Sequence, residues 1–542
     1  MTFLNATWYI INFRTYIEVI FMKRLILTIL FINLCFIFSY QSTYSQDGGE
    51  FDDLGSDIDV DNIDVEAATK DVDKNKKTEQ NVIVPEKHEL DKYFEDFING
   101  KKGVRYTIDG TIDYIVKNSP EIKEAEWGIK YYKGLYTQAQ GGAGPKLYLQ
   151  SFIAPTPEIK GNTEKSEIVD FWNFKQWGYY YRADATVIQP VYTFDRLSSA
   201  KEAATKGIEA AKAERDNVKW QVVNRAKELY YGHLMVLTLY NKTLSLVESI
   251  LNESITFAKD AFDKGEGNIK SWDINKLEVA KAELERNKAE AMKFIIFTQN
   301  ALKKFLKLKD TELFVPADAD IQPMEISIHP YEYYEKLAFQ NNALWRMVNA
   351  GVDAYGALVD LEVANYFPIV GIAGQFGFGY ANQIDDQDSS FAYDPYNEIW
   401  GGVGVGILWY FDVWSQSGIV DQREAEHQKI IQKKDFARDG ICVLLKEAYL
   451  DVLMYKRNIK TDNDGMIAAE SWLKNAIIPW KTGLAEAKDA LEGLGALAMS
   501  QKNYYMSIFQ YNMAIAKLSY LCGTELGKYK YGQGKSEPVT VK

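Results

Sequence analysis

The stretch "GGVGVGILWYFDV", Gly401 to Val413, decides how the rest of the chain is read. Val403, Val405, Ile407, Trp409 and Phe411 alternate with Gly402, Gly404, Gly406, Leu408 and Tyr410, and this period of two predicts a β-strand. The preceding segment has the same pattern, with Val370, Ile372, Phe376, Phe378 and Tyr380 on one face and Gly371, Ala373, Gln375, Gly377 and Gly379 on the other. One bulky apolar face opposite a small or polar one is the pattern of a barrel strand between lipid and a wet lumen. A half-buried strand of a soluble sheet would look similar taken alone.

Working outward, the chain is written twice. The segment from Lys117, "KNSPEIKEAEWGIKYYKGLYTQAQGGAGPKLYLQSF", aligns with the one from Gln340, "QNNALWRMVNAGVDAYGALVDLEVANYFPIVGIAGQF". Pro120 pairs with Ala343 and Pro145 with Pro368 at the same offset, so each copy holds a helix of one length followed by a strand. In the first copy Tyr179, Tyr181, Ala183, Ala185 and Val187 oppose Arg182, Asp184 and Thr186, and Phe194-Asp195 falls where Phe411-Asp412 falls in the second.

After each Phe-Asp the period changes to that of a helix. Ala226, Leu229, His233, Val236, Tyr240, Thr243, Val247, Ile250, Ser254, Phe257 and Ala261 recur at steps of three and four, a heptad seam. A returning arm has Ile274, Leu277, Lys281, Leu284, Lys288, Ala291, Ile295, Thr298, Leu302 and Phe305 at the same spacing. The first arm, from about Leu197 to Asp260, spans roughly 95 Å at about 1.5 Å per residue, far more than a globular core needs. Scarce Pro (13) and abundant Tyr (35) suit long unbroken helices joined to aromatic-rich strands.

The arms meet at "KGEGNIKSW", Lys264 to Trp272. Its glycines before Lys-Ser suggest a phosphate-binding loop, but Ile269 stands where that loop needs glycine, and no strand precedes it. It reads as a turn in which glycine permits positive φ. The second copy has "WKTGLAEAKDALEGL", Trp480 to Leu494, at the equivalent distance. Asp273 and Asp489 fall where a returning helix begins, which allows helix capping or a place at a pore.

Met22-Lys23-Arg24, an apolar run from Leu25 to Phe38 and small polar residues to Ser45 have the form of an export signal, with an uncleaved anchor as the alternative. The residues before Met22 are read as an early start. Asn33 and Leu34 before Cys35 do not fit a lipoprotein cleavage site, and Cys442 with Cys522 gives no disulfide framework. Gln46 to Gln80 holds 12 acidic and 4 basic residues, the composition of a self-repelling linker. Net charge is −13, without a basic footprint for nucleic acid. Four scattered histidines (His88, His233, His329 and His427) have no metal-ligand spacing, and no nucleophile motif occurs, so neither enzyme nor cofactor is expected. His233, on the seam, is expected to be packed.

An export signal, a duplicated helix–hairpin–helix plan, Phe-Asp after the second strand and a Gly-Leu…Asp turn about seventy residues later together resemble the TolC-like outer membrane efflux protein family, over about Lys102 to Thr524. The resemblance implies an α+β membrane protein. Its two structural repeats each carry a β-hairpin and long coiled-coil periplasmic helices, and three protomers share a 12-stranded barrel. The domains expected are 1–45 (early start and signal, Met22 to Ser45), 46–101 (acidic linker and periplasmic extension), 102–325 and 326–524 (the repeats), and 525–542 (tail).

The resemblance also places Phe262, Gly265, Gly267, Asp273 and Ile274, with Trp480, Gly483, Leu484, Asp489 and Glu492, at periplasmic tips that gate the pore. Phe194, Asp195, Phe411 and Asp412 form the repeat-junction motif. Implied partners are two further copies, a periplasmic adaptor, an inner-membrane pump and outer membrane lipid. Ala485 stands where some members place a gating arginine, which leaves Trp480, Lys488 or Glu492 as lock partners. The first tip carries an apparent insertion. Cargo stays open between small molecules, metals and secreted proteins. The competing reading is a periplasmic coiled-coil scaffold without a channel.

Overall fold

The computed structural model describes residues 88–161, 167–168, 170–265, 269–387, 391, 393–482 and 484–527. The export signal, the acidic 46–80 segment, Gly267 and Gly483 lie outside them. The chain begins with α1 (Glu89–Ile98), β1 (Lys102–Tyr106), α2 (Ile108–Asn118) and α3 (Pro120–Gly141). A hairpin of β2 (Lys146–Thr156) and β5 (Gly178–Tyr192) follows, with the short pair β3 (Ile159–Lys160) and β4 (Glu167–Ile168) between them. Then α4 (Arg196–Thr238), a π-helical turn (Leu239–Leu244) and α5 (Ser245–Lys264) run on as one 69-residue helix, Arg196–Lys264. After α6 (Ser271–Leu306) and β6 (Glu312–Pro316) the plan recurs. It continues through α7 (Tyr331–Asn341), α8 (Ala343–Ala364), β7 (Ile369–Ala381), β8 (Ile399–Leu408), α9 (Val413–Lys481) and α10 (Ala487–Cys522).

The helix lengths repeat to the residue. α2 and α7 have 11 residues, α3 and α8 have 22, and α6 and α10 have 36. The 69 residues of Arg196–Lys264 match the 69 of α9, each roughly 104 Å long at about 1.5 Å per residue. Local chemistry fixes several of these boundaries. Thr107 Oγ1 accepts from the Gly110 N–H (3.1 Å) to start α2, and Asn342 Oδ1 accepts from the Trp345 N–H (2.9 Å) to start α8. Pro120 opens α3, where its missing N–H costs nothing.

α6 and α10 end in the same left-handed cap, Lys307 at φ 52° and Gly523 at φ 64°. In both, the next N–H reaches back five positions, Leu308 to Lys303 O (3.0 Å) and Thr524 to Ser519 O (3.1 Å). Only the second needs glycine for space, because a Cβ on Gly523 would sit 2.4 Å from Asn341 O.

The two hairpins join into one antiparallel sheet of order β2-β5-β7-β8, through pairs such as Ala183↔Phe378 and Gly374↔Val403. β1 pairs in parallel with β6, Lys102 opposite Glu312. One core, around Tyr230, Leu302, Phe314, Tyr334, Leu445 and Ile515, packs this small sheet against the long helices. A second, with Leu251, Leu277, Leu473, Trp480 and Leu494, lies toward the turns between the arms.

One expectation holds and one is corrected. The heptad seam holds on both sides of the π turn at Ala226, His233, Ser254 and Ala261, all buried, while Leu229, Val236, Ile250 and Phe257 on its other row are half-buried. The alternation through Trp409 and Phe411, by contrast, overruns the strand. β8 stops at Leu408, opposite Ile369, where its partner β7 begins.

Candidate functional site: sheet, tips and junctions

The four-stranded sheet has two chemically distinct faces. Directly opposed residues share a face, so Leu149, Ala185, Phe376 and Tyr181 fall with Tyr380, Val403, Val405 and Ile407. This face is apolar and largely open: Val403 is 83% and Val405 78% exposed. The other face has Gln150, Asp184 and Gly377, then Arg182 and Gly379, then Gly402, Gly404 and Gly406. There Arg182 Nε donates to Asp184 Oδ2 (2.9 Å) and its Nη1 to Glu398 Oε1 (3.3 Å). Tyr393 OH holds the other oxygen of Glu398 (2.9 Å).

The sequence did not single out Glu398, although the polar pair it completes was legible. Nor did it foretell Trp400, whose indole lies over Gly377; a Cβ there would be 2.1 Å from Trp400 Nε1. Glycine inside a strand is the signal that such a close approach leaves. β2 and β8 are the sheet's edges, with one neighbouring strand each.

At the far end of the arms the two turns differ by one residue, six (265–270) against five (482–486). Gly265 caps α5 at φ 66°, its N–H on Ala261 O and Phe262 O. In the second turn the Leu484 N–H donates to Pro479 O (2.8 Å), a bond that spans position 483. Asp273 and Asp489 both occupy the third position of a helix, but their surroundings differ. Asp273 Oδ2 accepts from the Lys270 N–H (3.2 Å) and Oδ1 from Lys276 Nζ (3.3 Å), which is a capping arrangement. The Asp489 N–H donates to Glu486 O (3.2 Å), but its exposed carboxylate has no hydrogen-bond or ion-pair partner among the described residues.

Trp480 is only 3% exposed, edge-on to Phe257 (5.4 Å, 76°), so within the protomer it anchors the bundle of α5, α6, α9 and α10. Ile274 packs half-buried onto the same cluster. Lys481 pairs with Glu253 across the repeats, and Lys488 with Glu492 (3.6 Å) along α10. Gly493 lets α10 approach α9 closely, since a Cβ there would meet Leu473 Cα at 3.1 Å. Phe262, Trp272 and Leu484 are left exposed, Leu484 at 84%.

The Phe-Asp pairs occupy equivalent places with unlike backbones. Phe194 and Asp195 both have positive φ (48° and 63°), a conformation that side chains resist. Phe194 stacks on Phe367 (5.5 Å, 15°) and packs edge-on to Tyr192 (4.5 Å), joining the first junction to the second repeat. Asp412 has φ −121° and its Oδ1 accepts from the Ser415 N–H (3.2 Å), capping α9. Asp195 takes no such part; its Oδ1 accepts from Ser198 Oγ (3.2 Å). A bulge between Pro190 and Tyr192 precedes it.

His233 is fully buried, as the seam position implies. Thr298 Oγ1 lies 2.8 Å from His233 Nδ1 and donates its own hydrogen to Phe294 O (2.7 Å), so Nδ1 carries the proton. Nε2 then accepts from Gln299 Nε2 (3.2 Å), which also donates to Phe314 O (2.5 Å). Burial holds its pKa down at about 4. Among the described residues no group of three or more His, Cys, Asp or Glu is placed to hold a metal ion.

No family model matches the chain, and no curated protein matches it by sequence. Solved structures do. The outer membrane protein VceC from Vibrio cholerae superposes with a TM-score of 0.63 at 15% identity, covering 77% of this chain and 96% of that one. The Campylobacter jejuni CmeC outer membrane channel gives 0.64 at 11% identity, covering 78% and 86%. The open state of the Neisseria gonorrhoeae MtrE outer membrane channel gives 0.61 at 14% identity, covering 77% and 89%. At these identities what is shared is architecture: the chain has the fold of the TolC-like outer membrane channels.

Proposed function

We propose that the protein is the outer membrane exit duct of a tripartite efflux or type I secretion system. Three copies each contribute four strands to one 12-stranded barrel, and the long helices continue that pore into the periplasm. The observation that carries this reading is the sheet itself, apolar on one face, small and polar on the other, and open at both edges. In a bilayer an open edge leaves backbone groups unpaired at several kcal/mol each, so β8 of one copy must pair with β2 of the next until the ring closes. Helices of roughly 104 Å leading away from that sheet suit a duct better than a self-contained domain.

Conduction is passive in this reading, and energy comes from an inner-membrane pump joined through a periplasmic adaptor at the exposed tip residues Phe262, Trp272 and Leu484. Asp489, whose exposed carboxylate has no partner among the described residues, is the better candidate for a pore-lining gate group, while Asp273 caps its helix. Purified protein in planar bilayers tests the proposal. Discrete pores from a trimeric species are expected, and Asp489→Ala should widen or lengthen their openings. A folded, detergent-stable protein that forms no pores would refute it in favour of a periplasmic scaffold.

A further inference from the structure

At the end of the sheet away from the long helices, the chain between β7 and β8 turns back over the polar face. Gly379 and Glu398 extend the β7–β8 pairing by one rung, the Gly379 N–H donating to Glu398 O (2.8 Å) and the Glu398 N–H to Gly379 O (3.2 Å). Glu398 therefore shares the face of Gly379, Arg182 and Tyr180. Just before it the chain lies on that face. Tyr396 meets Tyr180 edge-on (5.4 Å, 82°), the Tyr180 hydroxyl donates to Pro395 O (3.5 Å), and a Cβ on Gly379 would sit 2.6 Å from Tyr396 O. Glycine at 379 leaves the room for this crossing.

The crossing segment, Tyr393 to Asn397, is tied down along its length. Asp394 Oδ1 accepts from the N–H groups of Tyr396 (2.8 Å) and Asn397 (3.0 Å), a side-chain-supported turn. Asn397 Nδ2 donates to Ile384 O (3.0 Å), and its Oδ1 accepts from the Ala381 N–H (2.6 Å). Tyr393 OH and Arg182 Nη1 hold the two oxygens of Glu398, one from the loop and one from β5. The Tyr393 ring itself is 77% exposed and stands clear of the protomer. Charge is uneven here. One guanidinium, Arg182, faces Asp184 and Glu398, while the Asp394 carboxylate accepts only backbone N–H groups among the described residues. Three carboxylates against one cation leave two net negative charges in each copy. Toward the helices the same face continues with Gln375, Gly402, Gly404 and Gly406, small or uncharged.

We propose that the Tyr393–Asn397 crossing is a size and charge filter at the outer mouth of the pore, favouring cationic cargo over anionic. The inference rests on the duct reading, in which the polar face lines the lumen. Three copies then send three crossings inward, and the exposed Tyr393 rings narrow an opening ringed by surplus carboxylates. Such a ring lowers the energy of a passing cation and raises that of an anion. Arg182 is a positioning residue that holds Glu398 against the wall.

Tyr393→Cys in a Cys442→Ser background tests it in planar bilayers, Cys522 being fully buried. A bulky uncharged polyethylene glycol maleimide attached there, confirmed by mass, should lower single-channel conductance. A cationic methanethiosulfonate should react at this cysteine at least about threefold faster than an anionic one, relative to a small free thiol, since one carboxylate at roughly 6 Å in water is worth about that factor. Glu398→Gln keeps an acceptor for Tyr393 and removes one charge, and should reduce that ratio at least about threefold. Unchanged conductance after labelling would overturn the proposal, because the crossing then lies outside the current path. So would equal rates for the two reagents, or failure of the cysteine to react in the assembled protein, which means that a neighbouring copy covers it. Pores of unaltered conductance without charge preference would remove this inference alone. A folded protein that forms no pores in any variant would remove the duct reading as well.

Discussion

Replacing His233 by glutamine isolates one pH-dependent contribution to stability, and its size follows from the geometry. The imidazole is buried, neutral and held by Thr298 and Gln299, with its pKa down at about 4 against an ordinary value near 6.5. In the unfolded chain it takes up a proton as pH falls below about 6.5; in the folded chain it stays neutral until about 4. The unfolded state therefore binds more protons across that window. The stabilisation is fully present above 6.5, is lost as pH falls toward 4, and changes little below that.

Between pH 7.5 and 4.5 the loss is about 2.5 kcal/mol, from about 1.4 kcal/mol per pH unit over roughly two units. His233→Gln keeps a donor and an acceptor at the site but has no proton to gain. Unfolding midpoints in guanidinium chloride, measured in detergent at both pH values, should fall further for wild type than for His233→Gln by that amount. The variant should also start lower at pH 7.5, by about 1 to 2 kcal/mol, because its amide cannot reproduce both bonds in ideal geometry. Parallel losses in the two proteins, equal to within about 0.5 kcal/mol, would refute the assignment of a buried neutral imidazole.

The shared left-handed helix cap predicts opposite outcomes at equivalent places. Gly523→Ala forces a Cβ against Asn341 O and should cost about 2 kcal/mol or more, whereas Lys307→Gly relieves a strained φ and should add about 0.5 to 1 kcal/mol, both read from thermal unfolding. Asp273→Ala removes a capping carboxylate and should lower stability by about 1 kcal/mol; Asp489→Ala should stay within about 0.5 kcal/mol while altering conductance. On the sheet, Val405→Arg places a charge on the apolar face and should cost about 2 to 4 kcal/mol, seen as lost insertion into lipid vesicles. Gly404→Asn, on the opposite face with nothing within 4 Å of a new Cβ, should insert normally and change only the conductance.

Legibility differed from element to element. Pro120 and Ala343 do open helices of equal length, and the turn glycine Gly265 does end an arm at positive φ, because a helix start and a chain reversal are written in a few adjacent residues. The same local logic misled at Phe194-Asp195 and Phe411-Asp412. Identical dipeptides took different backbones: stacking of Phe194 on Phe367 supports the first pair at positive φ, whereas Phe411 meets Trp409 edge-on and, among the described residues, no ring of the other repeat. Trp480, a lock candidate by position, is withdrawn into the four-helix core because Phe257 arrives from another repeat to meet it.

By itself, then, the sequence determined the periods, the duplication and the reversals, all of which depend on neighbours within a few turns of the chain. Only the tertiary structure decided that β5 pairs with β7 to make one sheet of two hairpins. It also decided that the Asp273 carboxylate caps its helix while the Asp489 carboxylate has no partner among the described residues. These depend on which faces meet across more than a hundred residues of chain, and no spacing between neighbouring residues encodes that.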